Sequence, residues 1–193
     1  MKCLPALTLL LALPLPAADF PTLHARIEAR LARRADLAKL GQPPPELQQV
    51  AWMVGTWEVA SRNAGDENFD HGVAVVSWVV GGCWLQSVET YPTGVQDLGF
   101  TTYEPVGRQW LALALDSVGN AVKITAPGWT DNRLVFVARD IEIVGEKVTL
   151  RQTLTKLSPD EFTVTNEELL PDGTWRAIDE YRYRRASPAR PAP

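Results

Sequence analysis

From Gly55 to Arg185 apolar and polar residues alternate with a period of two, broken only by short turn clusters. Such alternation places successive side chains on opposite faces of a strand. It predicts strands at about 55–62, 72–80, 83–91, 97–104, 109–116, 120–126, 132–139, 147–156, 161–170 and 174–185, with "DIEIV" at 140–144 as a candidate extension of the seventh. Gly81-Gly82, Pro92-Thr93-Gly94, Pro105-Val106-Gly107 and Pro171-Asp172-Gly173 supply turn chemistry between them. Links this short join antiparallel neighbours, because parallel pairs need long crossovers. About ten meandering strands must split into two layers or close on themselves, and nearest-neighbour connectivity favours closure. The expected fold is all-β: an up-and-down antiparallel β-barrel over residues 46–185.

Ahead of the prolines at 43–45 the period is helical. Leu23, Ile27, Leu31, Ala35 and Ala38 share a stripe interrupted by Arg34, Thr22 can cap the start, and Gly41 with Pro43 stops the helix. Residues 19–45 therefore read as an N-terminal amphipathic helix and a Pro-rich linker. "PELQQVAWMV" adds a shorter helical turn bearing Leu47, Val50 and Ala51. At the other end, "ASPARPAP" (186–193) has nothing to bury and is expected to be disordered.

The first eighteen residues change the picture of where this chain works. Lys2, an apolar run from Leu4 to Leu15 and the small pair Ala17-Ala18 follow the pattern of a secretory signal peptide. The run is short for a membrane helix of ~20 residues. A periplasmic or secreted protein is expected. Without Cys3 only Cys83 remains, so no internal disulfide is available and the core alone must hold the fold. Charge is uneven. Residues 22–40 hold five basic and two acidic side chains; residues 41–193 hold thirteen basic and twenty acidic ones. An acidic body argues against nucleic acid as a partner. The basic segment is a solvated helix face or, as the lesser reading, a contact for the membrane surface.

"VGTWEV", opening the first strand after a helical turn, resembles the Gly-x-Trp start of lipocalin-like (calycin) barrels. "VVGGCWLQSVETY", "LGFTTYEPVGRQWLALALDSVGN" and "GTWRAIDEYRYRR" resemble, more closely, a family of bacterial lipocalin-like domains of unknown function, numbered 1579. In the calycin pattern the first-strand Trp closes one end of the barrel under a basic side chain from the last strand. The resemblance implies that role for Trp57, with Arg182 or Arg184 as the guanidinium and Gly55 permitting the backbone bend. Arginine stacked on a shielded indole is favourable in its own right. Some related small barrels hold haem through a histidine near the C-terminal end; this chain has no histidine after His71, and no cofactor is expected.

Alternation sorts the late strands. Val148, Leu150, Gln152 and Leu154 form one face, as do Phe162, Val164, Asn166 and Glu168, and Trp175, Ala177, Asp179, Tyr181 and Tyr183; these are expected to point inward. The polar members, Gln152, Asn166, Glu168 and Asp179, would join Asp116 and Tyr181 as ligand-binding groups on an apolar wall. The bland alternative puts Glu168 and Asp179 at strand ends, reaching water. No catalytic residue is assigned: nucleophile motifs are absent, and a Glu168/Asp179 carboxylate pair is the only acid–base candidate. His24 lies in the helix, His71 is expected in a loop, and Cys83 reads as a small buried residue rather than the partner of His71. Two histidines and one cysteine, far apart, offer no metal site. Three expectations follow: a barrel binding a small apolar molecule, a structural or interaction protein with a filled barrel, or an enzyme using Glu168 and Asp179.

Overall fold

The computed structural model describes residues 22–32, 42–117, 119–143 and 145–187. The expected signal peptide, the second half of the expected helix and most of the tail lie outside them. Two compact units divide the chain, residues 1–40 and 41–193. In the first, helix α1 (Leu23–Ala32) starts where the stripe begins, and the Ala25 amide donates to Thr22 Oγ1 at 3.2 Å.

The second unit opens with a 3-10 helix, Pro45–Met53, which buries Leu47 and Val50. Eleven strands follow: β1 (Gly55–Asn63), β2 (Asp70–Val79), β3 (Trp84–Thr90), β4 (Gln96–Glu104), β5 (Gln109–Asp116), β6 (Ala121–Ala126), the two-residue β7 (Trp129–Thr130), β8 (Arg133–Ile143), β9 (Glu146–Ser158), β10 (Glu161–Leu169) and β11 (Trp175–Arg185). All pair antiparallel with sequence neighbours, save β1 with β11 and β6 with β8. Those two pairings close the sheet: Trp57 stands opposite Arg185, and Thr125 opposite Val137. With β7 only a hairpin onto β8, ten strands make the wall of an up-and-down barrel. His71, expected in a loop, instead lies in β2 opposite Ala60, exposed.

One end of the barrel is plugged. The Trp57 indole is fully buried, donates its N–H to the Met53 carbonyl at 2.7 Å and meets the edges of Phe162 and Trp52. The guanidinium over its ring, 4.3 Å from the centroid, belongs to Arg185. This corrects the expectation of Arg182 or Arg184. Both of those sit at the opposite parity of β11, on the outer wall: Arg182 stacks over Phe69 beside Glu180, and Arg184 faces Glu161. Arg185 also donates to the carbonyls of Trp52, Val54 and Pro159 and to Asp160 Oδ1. Gly55 takes its meaning from the same contact: a Cβ there would lie 2.6 Å from Arg185 Nη1, and its φ is +138°.

A second correction concerns β11. Opposite Asn166–Glu167 the register slips by one residue, so Asn166 pairs with Asp179 but Glu167 with Ala177. A bulge of this kind reverses the faces beyond it. Trp175 and Ala177 therefore leave the inward set, and Trp175 lies on the outer wall under the Arg151 guanidinium.

Arg185→Ala is expected to cost about 2–4 kcal/mol, because it removes the donors that satisfy the carbonyls at the plug and the cation over Trp57. Gly55→Ala should cost about 1–3 kcal/mol through the forced approach and the positive φ, whereas Arg184→Ala should change stability by less than about 0.5 kcal/mol. Urea unfolding followed by tryptophan fluorescence measures all three. Equal losses at 184 and 185 would overturn the assignment.

Candidate functional site

The interior is graded from end to end. Strand polarity gathers Trp57, Val76, Leu85, Trp110, Ile124, Ala126, Leu134, Leu154, Phe162 and Tyr183 in the plugged half, each under a tenth exposed. In the other half, inward positions carry Glu89, Asp97, Ala114, Asp116, Gln152, Asn166 and Tyr181, none of them fully buried, and Ala114 is exposed although it points inward. The barrel is thus packed at one end and open at the other. A cavity of about 290 Å³ runs between, from Val50 and Met53 at the floor to Asp116 and Asn120 at the mouth.

The structure brings most of the expected ligand-binding residues to this cavity. Asp116, Gln152, Asn166 and Tyr181 line it. Gln152 Nε2 donates to Asn166 Oδ1 at 3.1 Å, and Asn166 Nδ2 donates to Asp179 Oδ1 at 2.7 Å, a chain that ends on Asp179, which lines the basin on the outer wall and not this cavity. Asp116 receives both the backbone and side-chain N–H of Asn120. Glu168 stands apart: its carboxylate is taken by Arg176 at the strand end. Glu168 and Asp179 therefore have separate partners and do not form the pair the enzyme reading requires. Cys83 is partly exposed beyond the far end of β2 from His71, roughly 25 Å away at 3.3 Å per residue, so those two cannot meet.

Two carboxyls that the late strands did not suggest belong here as well. Glu89 accepts from Tyr183 Oη at 2.6 Å and Tyr91 Oη at 3.2 Å. Tyr183 stacks on Phe162 with centroids 4.1 Å apart, so the plug and the cavity share one ring. Asp97 sits between Glu89 and Asp116 on a single rung, opposite both in register. Alternation along β3 and β4, followed through the Pro92-Thr93-Gly94 turn, carries this signal in the sequence.

Burial raises the pKa of Glu89; Tyr183 pulls it down and Asp97 pushes it up further. Asp97 is raised by burial and then by Asp116. Asp179 is pushed up to about 6, chiefly by burial, against the bond from Asn166 and with a contribution from Asp97. Tyr91, Tyr181 and Tyr183 are all raised, burial leading, and stay protonated, Tyr91 and Tyr183 as donors to Glu89. Among the described residues no group of His, Cys, Asp and Glu could hold a metal ion. A larger basin of about 850 Å³ lies on the outer wall, but its central charges are already matched as Arg62–Glu180 and Arg151–Glu167.

The sequence profile of a family described as "Protein of unknown function (DUF1579)" matches residues 42–185, the whole barrel with its entry helix. The chain belongs to this family. No curated protein matches it. Among solved structures, that of Rv2717c from M. tuberculosis is similar at a TM-score of 0.52 and 11% identity, over 76% of this chain and 100% of that one; the likeness is one of fold. A redesigned β-barrel, mFAP1, solved bound to DFHBI, aligns at a TM-score of 0.31 and 17% identity, over 69% of this chain and 95% of that one.

Because Asp179 binds its proton more tightly when folded, its contribution makes stability fall as pH rises from about 4 to about 6 and then level off. Asp179→Asn, which keeps an acceptor for Asn166, is expected to stabilise the domain by on the order of 1–2 kcal/mol at pH 7.5 and to leave it unchanged at pH 3.5. Urea midpoints at the two pH values provide the check.

Proposed function

We propose that the barrel is a binding protein that takes a small molecule with an apolar body into its open half. The observation that carries this reading is the segregation of the interior. Trp57 and Trp110 are both buried in the plugged half, and the space beyond them is walled by Ala112, Val122, Ile124, Phe136 and Val164 with a few polar groups. An apolar hollow with convergent polar side chains is the usual form of a small-molecule site. Asp116, Gln152, Asn166 and Tyr181 would orient the ligand, with Asp179 fixed behind Asn166. The leader pattern over residues 1–18 supports export to the periplasm or beyond. A filled structural scaffold is the weaker reading, because no indole crosses the open half among the described residues. Catalysis by Glu168 and Asp179 has lost its geometric basis.

A neutral, environment-sensitive naphthalene dye such as prodan tests the proposal. Its emission should rise saturably with the domain, and Ala114→Trp, which fills the mouth from an inward position, should abolish the rise. A signal that never saturates, or one untouched by Ala114→Trp, overturns the reading.

A further inference from the structure

Resting on that binding reading, we propose that the ligand is an organic cation: an amine or guanidine head held at the mouth, with its apolar body directed to the floor.

Three features of the hollow carry this. First, Glu89, Asp97 and Asp116 occupy one rung across β3, β4 and β5, each directly opposite the next, and all three line the cavity. Like charges directly opposite on a sheet destabilise it. Second, the residues lining this cavity include no lysine, arginine or histidine, although the barrel carries many on its outer wall. Among the described residues that line the cavity, none brings a positive charge to Glu89 or Asp97. Third, the rung is unevenly satisfied. Tyr183 and Tyr91 donate to Glu89, and Asn120 donates to Asp116, but among the described residues no hydrogen-bond donor reaches Asp97. Asp97 is the central member, so the carboxyl that stands opposite both of the others is also the one open for a donor.

The hollow exists independently of these carboxyls. Its deeper wall is formed by Val76, Ile124, Leu134, Leu154 and Phe162, none of which has anything to offer a second charge. A ligand polar at one end and apolar at the other matches that gradient. Its cationic head would lie against Asp97 with Glu89 and Asp116 on either side, and the Tyr181 ring lines the same space. At roughly 30 Å³ per water-sized atom, about 290 Å³ admits a body of about ten heavy atoms. An anionic amphiphile, a fatty acid for instance, would meet the rung with its own charge and be excluded.

The test uses three probes with one body: octylammonium and octanoate, each below its micelle concentration, and 1-octanol below its solubility limit, titrated calorimetrically into the barrel protein at pH 7.5 and 0.15 M salt. Octylammonium should bind at least tenfold more tightly than octanol, and octanoate should give no measurable binding. In the Glu89→Gln/Asp97→Asn double variant the ammonium advantage should vanish while octanol binding persists, which also shows that the variant is folded. If octanol or octanoate binds the native protein as tightly as octylammonium, the cation assignment is overturned and the small-molecule reading stands. If the ammonium preference survives in the double variant, the rung is not the site and the assignment falls. If none of the three binds, the assignment is overturned, and the dye titration above decides separately whether the hollow binds anything.

Discussion

The contact on which the rest of this structure depends is the Arg185 guanidinium lying over Trp57 in the space left by Gly55. It does three things at once. It joins the last strand to the first, where Trp57 and Arg185 are register partners. It ties the 3-10 helix to the barrel end through the carbonyls of Trp52 and Val54. And it shields an indole whose own N–H is spent on Met53. Gly-x-Trp is the local signature of that joint: the glycine is small because an arginine occupies its side-chain position. Once this end is capped, Phe162 and Tyr183 stack beneath it and the large side chains of the plugged half are buried.

That plug decides where space remains. Eight strands already make a barrel whose interior side chains can fill, and ten make a wider one. The chain concentrates its large inward aromatics at one end rather than distributing them, so the excess volume collects at the other. Ala112 and Ala114 on β5, and Gly99 opposite Ala114 on β4, are small inward residues along that open half. The hollow is therefore a consequence of which strand ends carry bulk, not of a loose core.

Much of this was legible in the residues. The two-residue period, the turn clusters and the short links led to an antiparallel barrel of about ten strands, and the ordered segments from "VGTWEV" to "DEYRYRR" led to the family. What was not legible has specific causes. Arg182, Arg184 and Arg185 cover both faces of the last strand, so residue type alone could not choose among them; counting by twos from Tyr183 reaches Arg185. The bulge opposite Asn166 is silent because the extra residue, Ile178, is apolar and lets the alternation look unbroken past the point where the faces exchange. Glu168 keeps the inward parity of Asn166, opposite Leu150, but at the strand end its carboxylate goes to Arg176, which alternation along one strand does not reveal. Glu89 and Asp97 were hidden for a different reason. A rung becomes visible only when register is carried across three strands, and alternation within one strand says nothing of what stands opposite.

The two halves also differ in what they do for the free energy of folding. Buried aromatics and an arginine that donates to four acceptors stabilise the plugged end, while at the mouth three carboxyls face one another, and Asp179, behind Asn166, is pushed up to about 6 by burial. A sheet selected only for stability would place threonines on such a rung, as it does on the outer wall, where Thr155 faces Thr163 and Thr153 faces Thr165. Carboxyls kept there in a solvent-accessible but partly desolvated mouth are a cost that the packed end offsets. Local rules of folding tend to fail where a site has been built, because groups chosen for a ligand are left poorly matched without it. In this barrel the mismatch has a sign and a place: negative, at Asp97, one rung inside the open end.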